Sequence, residues 1–148
     1  MIKIICIGKI KEKYFIDAIE EYQKRLSKYT KLEIIELPDY NYDVLKTVNE
    51  EGKNILSKID DKSYVVTLEV TGKKLNSVEL SSFIDSNISK NITFVIGGSY
   101  GLSSDVLKRS NYRLSFSDLT FPHQLFRILL LEQIYRSFKI IKNESYHK

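Results

Sequence analysis

Hydrophobic residues along this chain follow two spacings. Short continuous apolar runs are typical of buried strands, whereas longer stretches repeat their apolar residues every three or four positions, as amphipathic helices do. The apolar runs predict strands at Ile2–Ile7, Leu32–Leu37, Tyr64–Val70, Ile92–Ile96 and Tyr112–Phe116. The longer repeats predict helices over Lys13–Leu26, Val44–Ile59, Leu80–Ile88, Ser104–Arg109 and Pro122–Ile141.

Polar residues and glycine mark where several of these elements begin and end. The third strand is ended by Thr71–Gly72, because glycine after a β-branched run indicates a turn. Asn76, with Glu79 three residues later, predicts a capping box at the start of the third helix. Ser103 or Ser104 is expected to cap the short fourth helix.

Strands that alternate with helices predict an α/β fold, with a mainly parallel sheet and helices on both faces. No internal repeat, low-complexity segment or linker interrupts the sequence, so we expect a single domain over residues 1–148. Ligands of such sheets bind at the carboxyl ends of the strands, so three loops are expected to share one rim. These loops are Leu68–Thr71, Gly97–Leu102 and Phe116–Phe121.

The last predicted helix is apolar on more than one face. Leu125–Phe126 and Ile128–Leu131 together surround its axis. A helix of this kind is buried against more than its own sheet. In a chain of this size we expect a homodimer interface; the alternative is a helix central to the core of a single copy.

The net charge of +4 lies entirely in the C-terminal third. Residues 1–100 contain 15 Lys or Arg and 15 Asp or Glu, whereas residues 101–148 contain eight basic and four acidic residues. A local surplus of this kind is typical of an edge that binds a polyanion, and equally of a solvated face.

Cysteine and histidine are scarce. Cys6 lies in an apolar run, which predicts a buried and inert thiol. One cysteine and two histidines are too few for a zinc site, so no metal is expected. No stretch is apolar for long enough to predict a membrane span, and the first residues lack the pattern of a signal peptide. We therefore expect a cytoplasmic protein.

Two segments in the last third predict a small-molecule site. The glycine turn Gly97–Gly101 lets backbone amides approach a ligand, although a tight strand-to-helix connection would use the same residues. The corner Leu119–His123 combines apolar side chains with free backbone polar groups, which suits an adenine ring. At the start of a helix, the dipole favours a neutral His123 that accepts a proton; a structural histidine is the alternative.

The tail Asn143–Lys148 combines an aromatic ring, an imidazole and a cation in Tyr146, His147 and Lys148. RNA-binding proteins use such groups to stack on bases and to pair with phosphates. A frayed end without a function is the alternative.

The order of these motifs resembles a known family along nearly the whole chain. The matching segments are Ile4–Lys9, Glu21–Tyr22, Arg25–Leu26, Val66–Glu69, Gly72–Lys73, Phe94–Gly98, Gly101–Leu102, Leu114–Ser115, Leu119–His123, Arg127, Glu132–Gln133, Tyr135–Arg136 and Tyr146–Lys148. On these residues the chain is similar to the SPOUT-class methyltransferases that modify N3 of a pseudouridine in bacterial large-subunit rRNA.

The resemblance implies a trefoil knot at the C-terminal end of the sheet, which is an exception to the rule that chains avoid threading. It also implies a homodimer with the active site at its interface, and S-adenosylmethionine bound in a bent form within the knot. Carried over by position, the cofactor residues are Leu68, Gly97, Phe116, Ser117, Asp118, Leu119, Thr120 and Phe121. The implied substrate is a helix-loop of 23S rRNA at the subunit interface of the assembled 70S ribosome.

Transfer of a methyl group to N3 requires that the N3 proton be removed. The candidate bases are His123, Tyr146 and His147. The candidate RNA contacts are Arg127, Arg136 and Lys148. One rival hypothesis is a SPOUT enzyme for another RNA, such as a tRNA ribose oxygen activated by Arg127. A second rival is a non-catalytic RNA- or ribosome-binding protein that keeps the fold.

Overall fold

Five parallel strands form one sheet, and the computed structural model describes Met1–Lys148. The strands are β1 (Ile2–Ile7), β2 (Leu32–Leu37), β3 (Tyr64–Lys74), β4 (Ile92–Ile96) and β5 (Tyr112–Ser115). The helices are α1 (Lys13–Leu26), α2 (Val44–Ser57), α3 (Ser77–Asn87), α4 (Ser104–Arg109) and α5 (His123–Ile141). The strand order is β2-β1-β4-β3-β5, and every neighbouring pair is parallel. The predicted α/β fold with a parallel sheet is confirmed.

Alternate residues of β1 are buried on opposite faces of the sheet. Ile4 and Cys6 belong to the larger core cluster, to which α1, α3 and α5 contribute buried side chains. Ile5 and Ile7 belong to a smaller cluster that includes Ile55 of α2. Successive side chains of a strand point to opposite faces, so a run that is apolar throughout is buried on both. The prediction of helices on both faces is therefore confirmed.

Two predicted helix caps are present in the structure. The Asn76 side chain accepts a hydrogen bond from the Glu79 amide at 2.8 Å, and the Glu79 carboxylate accepts one from the Asn76 amide at 2.9 Å. Ser103, rather than Ser104, caps α4, because its hydroxyl accepts from the Val106 amide at 3.2 Å. These local bonds explain why both helices begin where the sequence indicates.

The third strand is longer than the sequence predicts. Instead of ending at Thr71–Gly72, β3 bulges and resumes, so that Leu114 of β5 is paired with both Leu68 and Lys73. A Cβ on Gly72 would lie 2.7 Å from the carbonyl oxygen of Arg113, so only glycine allows the two backbones to approach this closely. Glycine here marks a bulge within a strand, not its end.

The last helix is central to the core of a single copy. Leu130, Leu131 and Ile134 of α5 are fully buried, and α5 packs against both α1 and α3. Ile128 and Leu129 are partly exposed and lie outside both core clusters. None of the helices is both long and apolar enough to cross a membrane.

Candidate active site

A cavity of about 380 Å³ opens at the carboxyl edge of the sheet, where β4, β3 and β5 end beside one another. Its walls come from the loop after Leu68, the glycine turn after Ile96 and the corner after Ser115. The prediction that three loops share one rim is therefore confirmed. The volume lies in the range of pockets that bind small molecules.

Most of the sequence-predicted cofactor residues line this cavity. Those that do are Leu68, Gly97, Phe116, Ser117, Leu119, Thr120 and Phe121. Asp118 does not line the cavity. Its carboxylate pairs with Lys74 at 2.6 Å on the exposed side of the corner.

The glycine turn brings backbone close to backbone. A Cβ on Gly97 would lie 2.9 Å from the carbonyl oxygen of Gly101, and a Cβ on Gly98 would lie 2.8 Å from a carboxylate oxygen of Glu51. The turn is closed by a hydrogen bond from the Gly101 amide to the Gly98 carbonyl at 3.1 Å. The backbone contact explains why Gly97 is a glycine, whereas the neighbour of Gly98 is the end of a side chain.

Aromatic rings form one wall of the cavity. The ring centroid of Phe126 lies 4.9 Å from that of Phe116 and 6.0 Å from that of Phe121. The corner that carries Phe121 is held locally, because the Ser117 hydroxyl accepts from the Leu119 amide at 3.1 Å. An apolar wall beside exposed backbone groups suits a ligand with a flat heterocycle.

His123 also lines the cavity, in the first turn of α5. Partial burial lowers the pKa of His123 below its ordinary value, and the positive charge of Arg127 one turn later lowers it further. The neutral imidazole is therefore favoured, as the sequence predicts. Burial is the largest cause of the lowered pKa, whereas the prediction from the sequence rested on the helix dipole.

Arg127 is buried, with only 3% of its surface exposed. Its guanidinium donates to the Glu36 carboxylate at 2.7 Å and to the carbonyl oxygens of Ile7 and Gly8 at 2.9 and 2.6 Å. These bonds attach α5 to the carboxyl ends of β1 and β2. Within this chain, both terminal guanidinium nitrogens donate to protein groups, Nε is buried without a hydrogen-bond partner, and the group is not presented at the surface.

Three of the remaining predicted residues, Arg136, Tyr146 and His147, lie together outside the cavity. With Glu132, which was not a predicted site residue, they form what we call the tail cluster. The Tyr146 hydroxyl donates to Glu132 at 2.6 Å, and Arg136 donates to the same carboxylate at 2.8 Å. A ring nitrogen of His147 lies 3.1 Å from Arg136. Lys148 is exposed and forms no ion pair.

The hydrogen bond to Glu132 has a chemical consequence for Tyr146. It is the main reason that the pKa of Tyr146 is raised to about 12, with burial contributing next. In this conformation the phenol is a hydrogen-bond donor and a poor base.

Half of the basic residues of the C-terminal third are ion-paired within the chain. Of its eight basic residues, four form ion pairs with carboxylates: Arg113, Arg127, Arg136 and Lys139. A fifth, Arg109, donates to three backbone carbonyls, which leaves its charge in place. Glu132 and Glu144 are already subtracted in the surplus of four, so ion pairing fixes these side chains without removing the surplus.

Comparison with known proteins decides the family. A family model described as "Predicted SPOUT methyltransferase" matches residues 1–147. The chain belongs to the SPOUT methyltransferase family.

Relatives within the family are similar along their whole length. One from Clostridium perfringens, "Ribosomal RNA large subunit methyltransferase H 1", is 52% identical over 99% of both chains. Proteins called "Ribosomal RNA large subunit methyltransferase H" from Clostridium botulinum and Enterococcus faecalis are 54% and 52% identical, again over 99% of both chains.

A SPOUT methyltransferase needs a methyl donor, and the cavity has the character of a donor site. The glycine turn leaves its backbone open to a ligand, and the ring of Phe126 provides an apolar surface. No cluster of His, Cys, Asp or Glu is arranged to hold a metal ion.

Ten lining residues of this SPOUT cavity were not among the predicted site residues, including Glu69, Gly98 and Phe126. Glu69 and Gly98 lie within loops that the sequence places at the rim. Glu69 is fixed by Arg113, which donates to it at 2.6 and 2.8 Å. Phe126 follows the corner by one helical turn, so the rule that side chains three or four residues apart share a helix face would have found it.

Proposed function

We propose that this chain transfers the methyl group of S-adenosylmethionine to N3 of a pseudouridine in large-subunit rRNA. The observation that carries the proposal is the cavity at the carboxyl edge of the sheet, because it unites residues from all three predicted loops. The printed names of the relatives support rRNA as the substrate. The resemblance of the motifs supports the choice of nucleoside.

The cofactor is assigned to the cavity. Phe116 and Phe126 would cover the adenine ring, while the backbone of Gly97 and of the corner from Leu119 to Phe121 would bind its polar edge. When bound, the cofactor supplies an electrophilic methyl group on a sulfonium. Asp118 acts only indirectly, by fixing the corner through its ion pair with Lys74.

The protein must align N3 with the methyl carbon and accept the N3 proton. The carbon–sulfur bond breaks as the nitrogen–carbon bond forms, and the proton passes to a base. Glu69 and His123 are the only titratable side chains that line the cavity, and Glu69 is already paired with Arg113. His123 is therefore the base within the cavity, and its lowered pKa keeps it neutral and ready to accept.

The tail cluster has a complementary role. Arg136 and Lys148 contact RNA phosphate, while Tyr146 donates a hydrogen bond and His147 is the second candidate base. Since neither Tyr146 nor His147 lines the cavity of its own chain, we assign them to the cavity of a second copy. Arg127 is left out of the RNA contacts because it is buried.

We assign this chain a single domain over residues 1–148, a C-terminal trefoil knot and a homodimer. The partly exposed residues Leu125, Ile128 and Leu129 of α5 support the dimer, because they form an apolar stripe outside the core. The assembled 70S ribosome in the cytoplasm is the assigned substrate. Half of the basic side chains in the C-terminal third are ion-paired within the chain, so we expect a folded ribosomal surface to contribute to recognition.

Mass spectrometry of rRNA tests the proposal. Ribosomes from cells that lack the gene are expected to contain the unmethylated pseudouridine, and a complementing copy restores the methyl group. Purified protein with S-adenosylmethionine should modify the same ribosomes. A methyl group on a ribose would favour a SPOUT enzyme with another target. Absence of cofactor binding in calorimetry, with RNA binding retained, would favour a non-catalytic protein.

A further inference from the structure

Each of the three loops around the cavity exposes one large apolar side chain. Val70 lies in the bulged part of β3 after Leu68, Tyr100 lies in the glycine turn and Leu119 lies in the corner, with exposed fractions of 48%, 49% and 68%. Large apolar groups that remain in water around one opening indicate a surface that meets another molecule. The mouth of the cavity therefore has an apolar rim.

Tyr100 differs from the other two in its placement. Val70 and Leu119 line the cavity, whereas Tyr100 does not, although its neighbours Ser99 and Gly101 do. Its ring therefore stands outside the cavity at the edge of the mouth. The cofactor assigned to the cavity does not need this side chain.

No contact within the chain explains why an aromatic side chain is present at Tyr100. Its ring takes part in no aromatic pair and no cation–π contact, unlike Tyr14, Tyr22 and Tyr42. Its hydroxyl forms no hydrogen bond, and the residue contributes to neither core cluster. The turn that carries it is nevertheless fixed, because the backbones of Gly98 and Gly101 form a bridge on either side.

We propose that Tyr100 stacks on a nucleobase of the RNA substrate at the mouth of the cavity, as a substrate-binding residue. The inference rests on the proposed function, which brings a base to this opening. A flat ring on a rigid turn loses little entropy when it stacks, and every base offers a π-face. The aromatic ring, rather than its apolar area alone, is what the RNA recognises.

The test compares Tyr100→Leu with Tyr100→Phe, using ribosomes from cells that lack the enzyme. Leucine keeps an apolar side chain but removes the ring, and we expect ribosome affinity in filter binding, and kcat/KM for ribosomes, to fall about tenfold. Phenylalanine keeps the ring and is expected to match the wild type. Calorimetry should give unchanged S-adenosylmethionine affinity for both variants, and sedimentation an unchanged oligomeric state.

Three results would overturn the inference: equal ribosome affinity for Tyr100→Leu and wild type, a parallel loss of cofactor affinity, or a change in oligomeric state. Equal ribosome affinity for Tyr100→Leu and wild type would leave the proposed function intact, provided that the wild type still methylates ribosomes. If the wild type binds ribosomes without transferring a methyl group, while Tyr100→Leu binds more weakly, then the proposed function fails and the stacking role stands.

Discussion

The cavity and the tail cluster are built in opposite ways. The cavity is made largely of backbone and apolar side chains, and its shape depends on glycines that allow close approach. The tail cluster is made of charged and polar side chains that satisfy one another through Glu132. Under the proposed function, the cavity binds the cofactor and the tail cluster contacts RNA, in separate parts of the chain. His123 is the one candidate base that lines the cavity.

The largest expected effect comes from removing both candidate imidazoles. Combining His123→Ala with His147→Ala is expected to slow single-turnover methylation of ribosomes by about 100-fold or more, the contribution typical of general base catalysis. Cofactor affinity in calorimetry should change little, because the cavity walls remain.

The single substitutions His123→Ala and His147→Ala show how much of the loss of methylation rate comes from the cavity and how much from the tail cluster. If the double variant methylates at the wild-type rate, neither histidine is the base. If His147→Ala alone accounts for the whole loss, then the chemistry belongs to the tail cluster and His123 is structural.

The second prediction concerns stability and separates Arg127 from the RNA contacts. Arg127→Met removes the ion-pair partner of the Glu36 carboxylate and the donor to the carbonyl oxygens of Ile7 and Gly8. Because the Glu36 side chain is 36% exposed, water offsets part of the loss, and we expect a cost of about 2 kcal/mol, which for a chain of this size lowers the melting temperature by about 6 °C. Calorimetric melting measures the loss.

Lys148→Ala is the matched control for Arg127→Met. It removes an exposed cation without an ion pair, so the melting temperature should be unchanged while ribosome binding weakens. The assignment of Arg127 to structure would be wrong if its variant melted normally and bound ribosomes less tightly.

Sequence patterns predicted the elements well because each depends on local chemistry. The alternating burial of β1 and the Asn76–Glu79 capping box each depend on residues only a few positions apart. The predicted end of β3 was wrong because the bulge depends on the backbone of β5, which lies far along the chain.

The site was predictable to a similar degree. The loops could be named, since strand ends of a parallel sheet meet at one edge. The contacts of a charged side chain could not be predicted from the sequence. The partners of Arg127, for example, come from β1 and β2, more than ninety residues earlier. A basic residue in the sequence does not indicate whether its charge reaches the surface.

The third prediction tests how far the cavity depends on backbone. Gly97→Ala places a methyl group 2.9 Å from the Gly101 carbonyl oxygen, so the turn must shift. We expect cofactor affinity to fall about tenfold, since displacement of a positioned polar group by a fraction of an ångström costs about 1.4 kcal/mol. Tyr100→Phe changes the exposed residue of the same turn that does not line the cavity, and this variant should bind normally. Equal affinities for both variants would show that the turn does not bind the cofactor.

The smallest expected effect is a pH dependence of stability caused by His123. Its pKa is lowered in the folded chain, so below the ordinary histidine value of about 6.5 the unfolded chain binds a proton that the folded chain resists. Stability is therefore retained above that value and is lost as pH falls below it. Between about pH 7.5 and about pH 5.5, wild type should lose more stability in urea titrations than His123→Gln. His147→Gln changes the other histidine, on the exposed tail, and should follow the wild type. Equal losses of stability for wild type and His123→Gln would mean that the pKa of His123 is the same in the folded and unfolded chains. The proposal of a neutral base in the cavity would then be wrong.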